Sequence, residues 1–251
     1  MIDAHIHADT RPYEDFESMV ISGVNTAISC AHDPLRMTSS EVVFDHFYRL
    51  MNNDVKRAAE NGLKLYLALG IHPRSISSDH EKILKKLPRL MEEDSVVAIG
   101  EIGLESGSEE EISIFKKQLE IADDLKARVI VHTPRSNKKE VSLKTISLIQ
   151  DNINPTHAVL DHIDFSIVDD VIEEEFMLGL TVQPEKMTPQ EAIEILDDYG
   201  SEKFLLNSDI SSSPSDPLAV AKTVHLMKLK NFGNKEINQV SYENAANFFS
   251  I

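Results

Sequence analysis

Eight short apolar runs rich in β-branched residues alternate with longer segments of amphipathic helical spacing along these 251 residues. That alternation is the mark of repeated βα units, in which parallel strands are covered by the helices that connect them. The runs fall at 2–7, 24–30, 63–71, 96–101, 128–132, 158–162, 178–183 and 204–208. The helical segments fall at 13–21, 40–61, 80–93, 108–126, 136–151, 166–176, 189–199 and 216–230. Eight such pairs close a sheet on itself, so the expected fold is α/β, a (β/α)8 TIM barrel. The tail at 235–251 reads as one extra C-terminal helix, with Val240, Ala245, Ala246 and Phe249 able to pack on the barrel.

Local signals agree with these boundaries. Asn61-Gly62 and Tyr199-Gly200 each place a glycine after the last helical residue and just before a strand. Thr188-Pro189 reads as an N-cap followed by proline at the first helical position, and Glu191 completes a capping box. No linker, low-complexity tract or composition break divides the chain, so residues 1–251 are expected to form a single domain.

Composition narrows the function. Twenty-five basic against 42 acidic residues give a net charge of −17, which repels a long polyanion and argues against a duplex-coating surface. The single cysteine, Cys30, ends an apolar run and reads as a buried strand residue rather than a nucleophile. The N-terminus lacks the layout of a signal peptide, and no apolar stretch approaches the roughly 20 residues of a membrane span. A cytoplasmic protein without a membrane or protein partner is the expectation.

Chemistry-bearing residues share one topological position. His5 and His7, spaced i, i+2, leave one face of the first strand. Glu101, His132 and His162 end strands four, five and six, and Asp209 follows strand eight. In a TIM barrel the C-terminal strand ends form the active-site mouth, so all six should point into one bowl. Four neutral imidazoles and two carboxylates suit one or two divalent ions, whose chemistry activates water and polarises the oxygen it attacks. Asp209 has a competing reading as a helix N-cap, a role Ser213 and Ser215 fill equally well. His32, His46, His80, His157 and His225 fall away from strand C-termini and receive no role, and the acidic runs read as solvated faces.

The blocks Asp3-Ala-His5-Ile-His7, Gly70-Ile-His72-Pro73, Gly100-Glu101-Ile-Gly103-Leu104, Val131-His132 and Ser208-Asp209 resemble the TatD-related metal-dependent hydrolases, TIM barrels of the amidohydrolase superfamily. The resemblance spans almost the whole chain. It implies two divalent metals: His5 and His7 holding one with Asp209, His132 and His162 holding the second, and Glu101 bridging. It also implies a substrate class, because characterised relatives are often deoxyribonucleases that trim 3′ ends with magnesium or manganese. The chain departs from the family pattern around the substrate. Arg74 stands where a histidine is common, a fixed cation suited to phosphate or carboxylate, and Thr133-Pro134 displaces Arg135 by one position. Arg74, Arg135 and His72 are the expected substrate contacts.

The leading expectation is a two-metal phosphodiesterase or deoxyribonuclease acting on short or single-stranded 3′ ends, or on nucleotide-like phosphoesters. Asp209 would be the general base and Glu101 the residue that holds the ions, with Zn, Mn, Mg, Co or Fe all compatible. An amide or ester hydrolase is the enzymatic alternative. Residues 96–101 contain no lysine to serve as a carbamylated bridge, which favours the first reading. The alternative of another class is a non-catalytic, metal-stabilised binding module.

Overall fold

The strands are buried on both faces along most of their length, as a parallel sheet wrapped in helices requires. The computed structural model describes residues 1–31 and 35–251, so His32 lies outside the described residues. Eight strands, β1 (Ile2–Ile6), β2 (Thr26–Cys30), β3 (Lys64–Ala68), β4 (Val96–Gly103), β5 (Arg128–His132), β6 (Ala158–Leu160), β7 (Met177–Thr181) and β8 (Phe204–Asn207), pair in parallel in sequence order. Just beyond the last strand the chain returns to β1. The Asp209 N–H donates to the His5 carbonyl at 2.9 Å, and the His7 N–H donates to the Ile210 carbonyl at 2.8 Å. The result is the expected TIM barrel.

Eleven α-helical segments are described: α1 (Tyr13–Ile21), α2 (Ser40–Arg49), α3 (Val55–Glu60), α4 (Glu81–Leu90), α5 (Glu109–Leu125), α6 (Lys138–Asn152), α7 (Val168–Val171), α8 (Pro189–Tyr199), α9 (Ala219–Leu229), α10 (Asn234–Asn238) and α11 (Asn244–Phe249). The α8 start carries the expected capping box: Thr188 Oγ1 accepts from the Glu191 N–H, and a Glu191 carboxylate oxygen accepts from the Thr188 N–H. No described helix is long and apolar enough to cross a membrane.

Three helices depart from the sequence expectation. The segment 40–61 is divided by a π turn, Leu50–Asp54, which delivers the buried Asp54 carboxylate to Arg57 at 2.5 Å and Arg49 at 3.3 Å. The segment 166–176 holds only the single turn of α7. Glu173, Glu174 and Glu175 follow it, where the negative end of a helix dipole disfavours anions. The tail is broken by a second π turn, Gln239–Glu243. That turn rotates the apolar face: Ile237 and Val240 pack in the outer layer between strands and helices, whereas Ala245, Phe248 and Phe249 join the inner cluster.

The inner cluster fills the barrel from its N-terminal end. Ile2, Ala4, Ile28, Cys30, Ala68, Ala98, Ile130, Val159 and Leu205 meet the tail there, with the Phe248 and Phe249 rings edge to face at 4.8 Å and the Arg128 guanidinium over Phe248. This apolar floor lies beneath the polar mouth. Register shifts fall between Asp3 and Ile6 on β1 and between Gly100 and Ile102 on β4. They bracket His5 and Glu101, and such irregularities are the means by which a strand re-aims a side chain.

Because α11 seals the floor, shortening Phe249 removes packing that no other element supplies. Phe249→Ala is expected to cost about 3–5 kcal/mol of stability. The check is the urea midpoint of the metal-free protein, which falls with the slope unchanged.

Candidate active site

Glu101 is the centre of the mouth. It is 3% exposed and projects from β4, and each of its carboxylate oxygens faces a separate group of side chains. Oε1 lies 3.0 Å from Nδ1 of His132 and 3.0 Å from Nε2 of His162. Oε2 lies 3.6 Å from Nε2 of His5 and 4.0 Å from Nε2 of His7. Asp209 closes the second group, with Oδ1 at 3.2 Å from His7 Nε2 and 3.8 Å from His5 Nε2. All six residues that the sequence places at strand ends therefore converge.

These distances fit ligand atoms around an ion. Donors 2.0–2.2 Å from a tetrahedral divalent centre stand roughly 3.3 Å from one another, close to the separations in both groups. The clearest sign is His5 Nε2, fully buried, aimed at Glu101 and Asp209, and without a hydrogen-bond partner among the described residues. A buried polar atom left so is costly unless something else binds it. The carboxylates also draw positive charge inward. Burial alone would lower the pKa of His5, but Cys30, Glu101 and Asp161 raise it well above the ordinary imidazole value. At His132 burial is likewise overcome, by Glu101 and Glu105. His162 differs: burial and then the nearby Lys186 hold it down to about 4, so it is a neutral imidazole.

Several elements aim these groups. His162 and Asp209 both adopt left-handed backbone, with φ of 60° and 43°, at a cost of roughly 1–3 kcal/mol each. Asp3 fastens β1 to β8, accepting from the Ser208 N–H at 3.0 Å and the Ser208 hydroxyl at 2.5 Å, while burial pushes its pKa up to about 7. Gln118 of α5 clamps both backbone groups of Ile71 at 2.7 and 3.1 Å, which sets the turn into His72. Cys30 is buried under His5, and burial pushes its thiol up to about 12, as a structural residue requires.

Above the ligand groups opens a cavity of about 430 Å³, a size suited to a small molecule or a chain end. Arg74 and Arg135, two of the expected substrate contacts, line it. His72 lies deeper, 2% exposed, with Nε2 3.7 Å from Glu101 Oε2. Its Nδ1 accepts from the Arg74 N–H at 3.0 Å, which turns Nε2 toward Glu101. His46, His80, His157 and His225 do not join the cavity.

Four further residues of the site escaped the sequence reading. Lys186, from the loop after β7, pairs with Asp209 Oδ2. Lys138 donates to the His162 carbonyl at 2.5 Å and pairs with Asp164 at 2.8 Å. Glu105 accepts from His132 Nε2 at 2.8 Å, and its loop is held by Glu111, whose Oε2 takes the N–H groups of Glu105, Ser106 and Gly107 at 2.9 Å each. Asp161 contacts His5 Nδ1 at 2.5 Å. Only Asp161 gave a usable signal, a carboxylate that directly ends an apolar run as Glu101 does; Glu105 and Lys186 lie in loops without periodicity, and Lys138 opens α6 where an exposed lysine looks the same.

Comparison with known proteins places this geometry. Residues 2–250 match the family model described as TatD related DNase. A protein of Methanocaldococcus jannaschii, described as a metal-dependent hydrolase, is 40% identical over 253 residues that cover 100% of both chains. The crystal structure of a TatD-like protein from Archaeoglobus fulgidus superposes with a TM-score of 0.86 at 31% identity, covering 100% of each chain. A phosphotriesterase homology protein from Escherichia coli shares the fold, with a TM-score of 0.75 at 13% identity over 99% of this chain and 98% of that one. The chain belongs to the TatD-related DNase family of metal-dependent hydrolases.

Proposed function

We propose that the protein is a two-metal phosphodiesterase that acts on short or single-stranded 3′ ends of nucleic acid or on nucleotide-sized phosphoesters. The observation that carries this reading is the concentration of Arg74, Arg135, Lys138 and Lys186 around one cavity of a chain whose net charge is −17. Glu101, Glu105, Asp164, Glu185 and Asp209 share that lining, so the four cations offer an anionic group local partners within an acidic molecule that repels a long polyanion.

His5, His7 and Asp209 would hold one ion, and His132 and His162 the other, with one oxygen of Glu101 turned to each. Bound divalent ions supply Lewis acidity, which lowers the pKa of a water and polarises a phosphoryl oxygen. Asp209 takes the proton of the attacking water. Burial would raise its pKa, but Lys186 and the histidines beside it bring it well below the usual carboxylate range, so it is ionised and ready to accept. Lys186 is shared between Asp209 and the cavity; as it turns to a substrate anion, it releases Asp209 to act as a stronger base. Arg74 and Arg135, at the rim, hold phosphate groups that lead away from the scissile bond.

Chelator-stripped protein reloaded with Mn or Mg is expected to cleave a 3′-labelled single strand or a small phosphodiester. In Asp209→Ala the turnover drops by roughly 10²–10⁴-fold, the usual contribution of a general base. Hydrolysis of carbonyl substrates alone would sink the proposal. In Lys186→Ala, KM for an anionic phosphoester should rise roughly 10- to 100-fold, as loss of a charge-assisted hydrogen bond implies, while KM for a neutral ester stays near its wild-type value. Thermal melts provide a test independent of turnover. Metal at 100 times its Kd adds about 2.7 kcal/mol, which raises Tm of a domain of this size by roughly 5–10 °C.

A further inference from the structure

Asp161 lies directly before His162, wholly buried, and its two oxygens have different partners. Among the described residues Oδ2 is hydrogen-bonded to His5 Nδ1 alone, at 2.5 Å. Oδ1 accepts from three donors: the His162 N–H at 2.8 Å, Asn207 Nδ2 at 2.8 Å and the Thr181 hydroxyl at 3.3 Å. Thr181 Oγ1 in turn lies 2.7 Å from His162 Nδ1. A hydroxyl that donates its one proton to Asp161 can only accept from His162, so the order is His162 Nδ1–H to Thr181 O–H to Asp161. The fold makes room for this carboxylate. A Cβ at Gly179 would stand 1.9 Å from Asp161 Oδ1, so β7 carries glycine where the carboxylate rests.

We propose that Asp161 is a positioning residue that fixes the tautomers of one histidine in each ligand group, His5 directly and His162 through Thr181. This rests on the metal-binding reading above. With both Nδ1 atoms carrying protons, both Nε2 lone pairs face the ions, at Glu101 Oε2 for His5 and Glu101 Oε1 for His162. One buried carboxylate thereby ties the two groups together across the mouth.

The chemistry of substitution is specific. In Asp161→Asn the three donors at Oδ1 claim the amide oxygen, which turns the NH2 group toward His5. His5 Nδ1 must then accept, and its proton moves to Nε2, where it blocks the ion. Thr181→Val breaks only the link to His162. Zinc titrated calorimetrically into chelator-stripped protein should show two binding events in the wild type. The event at the His5 group is expected to weaken in Asp161→Asn, by roughly the 10- to 100-fold typical of lost outer-sphere partners, and the event at the His162 group in Thr181→Val. Wild-type affinities in Asp161→Asn would overturn the inference and leave the functional reading intact; a wild type that binds no zinc would overturn both. Nitrogen-15 histidine spectra of the zinc-loaded wild type test the same point without a variant. Protonated Nδ1 at His5 and His162 is expected, and a protonated Nε2 at His5 would overturn the proposal.

Discussion

A carboxylate buried among imidazoles is the constraint from which the rest of the molecule follows. Glu101 is taken out of water at a cost that nearby charge and hydrogen-bond donors must offset. Burial would raise its pKa, yet His5, His72, His132 and His162 hold it well below the ordinary carboxylate value. Those histidines come from β1, the β3 loop, β5 and the end of β6, elements that only a closed barrel brings within 4 Å of one point. The same burial requires each imidazole to be oriented from behind. Asp161 stands behind His5, Thr181 behind His162, Glu105 behind His132 and the Arg74 backbone behind His72.

The barrel and the mouth were legible for the same reason. Strands buried on both faces read as unbroken apolar runs, and a charged or ligand-type residue at the end of such a run has few structural explanations. That rule found His5, His7, Glu101, His132 and His162, and applied to Leu160-Asp161 it would have found Asp161 too. What periodicity could not reveal was how the chain turns between elements. The π turns at Leu50–Asp54 and Gln239–Glu243 add a residue to a helical turn without any glycine or proline to announce it. Lys138 reaches the site from the first turn of α6 and Lys186 from a loop, where contact and solvation look alike in a sequence.

The polar lining of the bowl comes from loops after several strands: Arg74 after β3, Glu105 after β4, Arg135 after β5, Asp164 after β6, Lys186 after β7 and Ser211 after β8. Asp164, two residues after His162, pairs with Lys138. Ser211, two residues after Asp209, presents its carbonyl to Arg11 Nη1 at 2.5 Å and accepts from the Ser215 hydroxyl at 3.4 Å. The apolar floor is thus separated from a polar, ion-paired mouth.

Charge distribution gives that separation its meaning. A surface at −17 would expel any phosphate that approached away from the mouth, and at physiological salt each exposed pair is screened beyond about 8 Å. Inside the cavity the screening is weaker; Lys138 is lowered chiefly by burial, is held up by Asp164, and is lowered again by Lys186 nearby. Two ammonium groups kept close at such a cost are best relieved by an anion between them. The lysines are thus held in place by Asp164 and Asp209, and under the proposed phosphoesterase reading entry of a phosphate would be an exchange of ion pairs rather than the burial of a new charge.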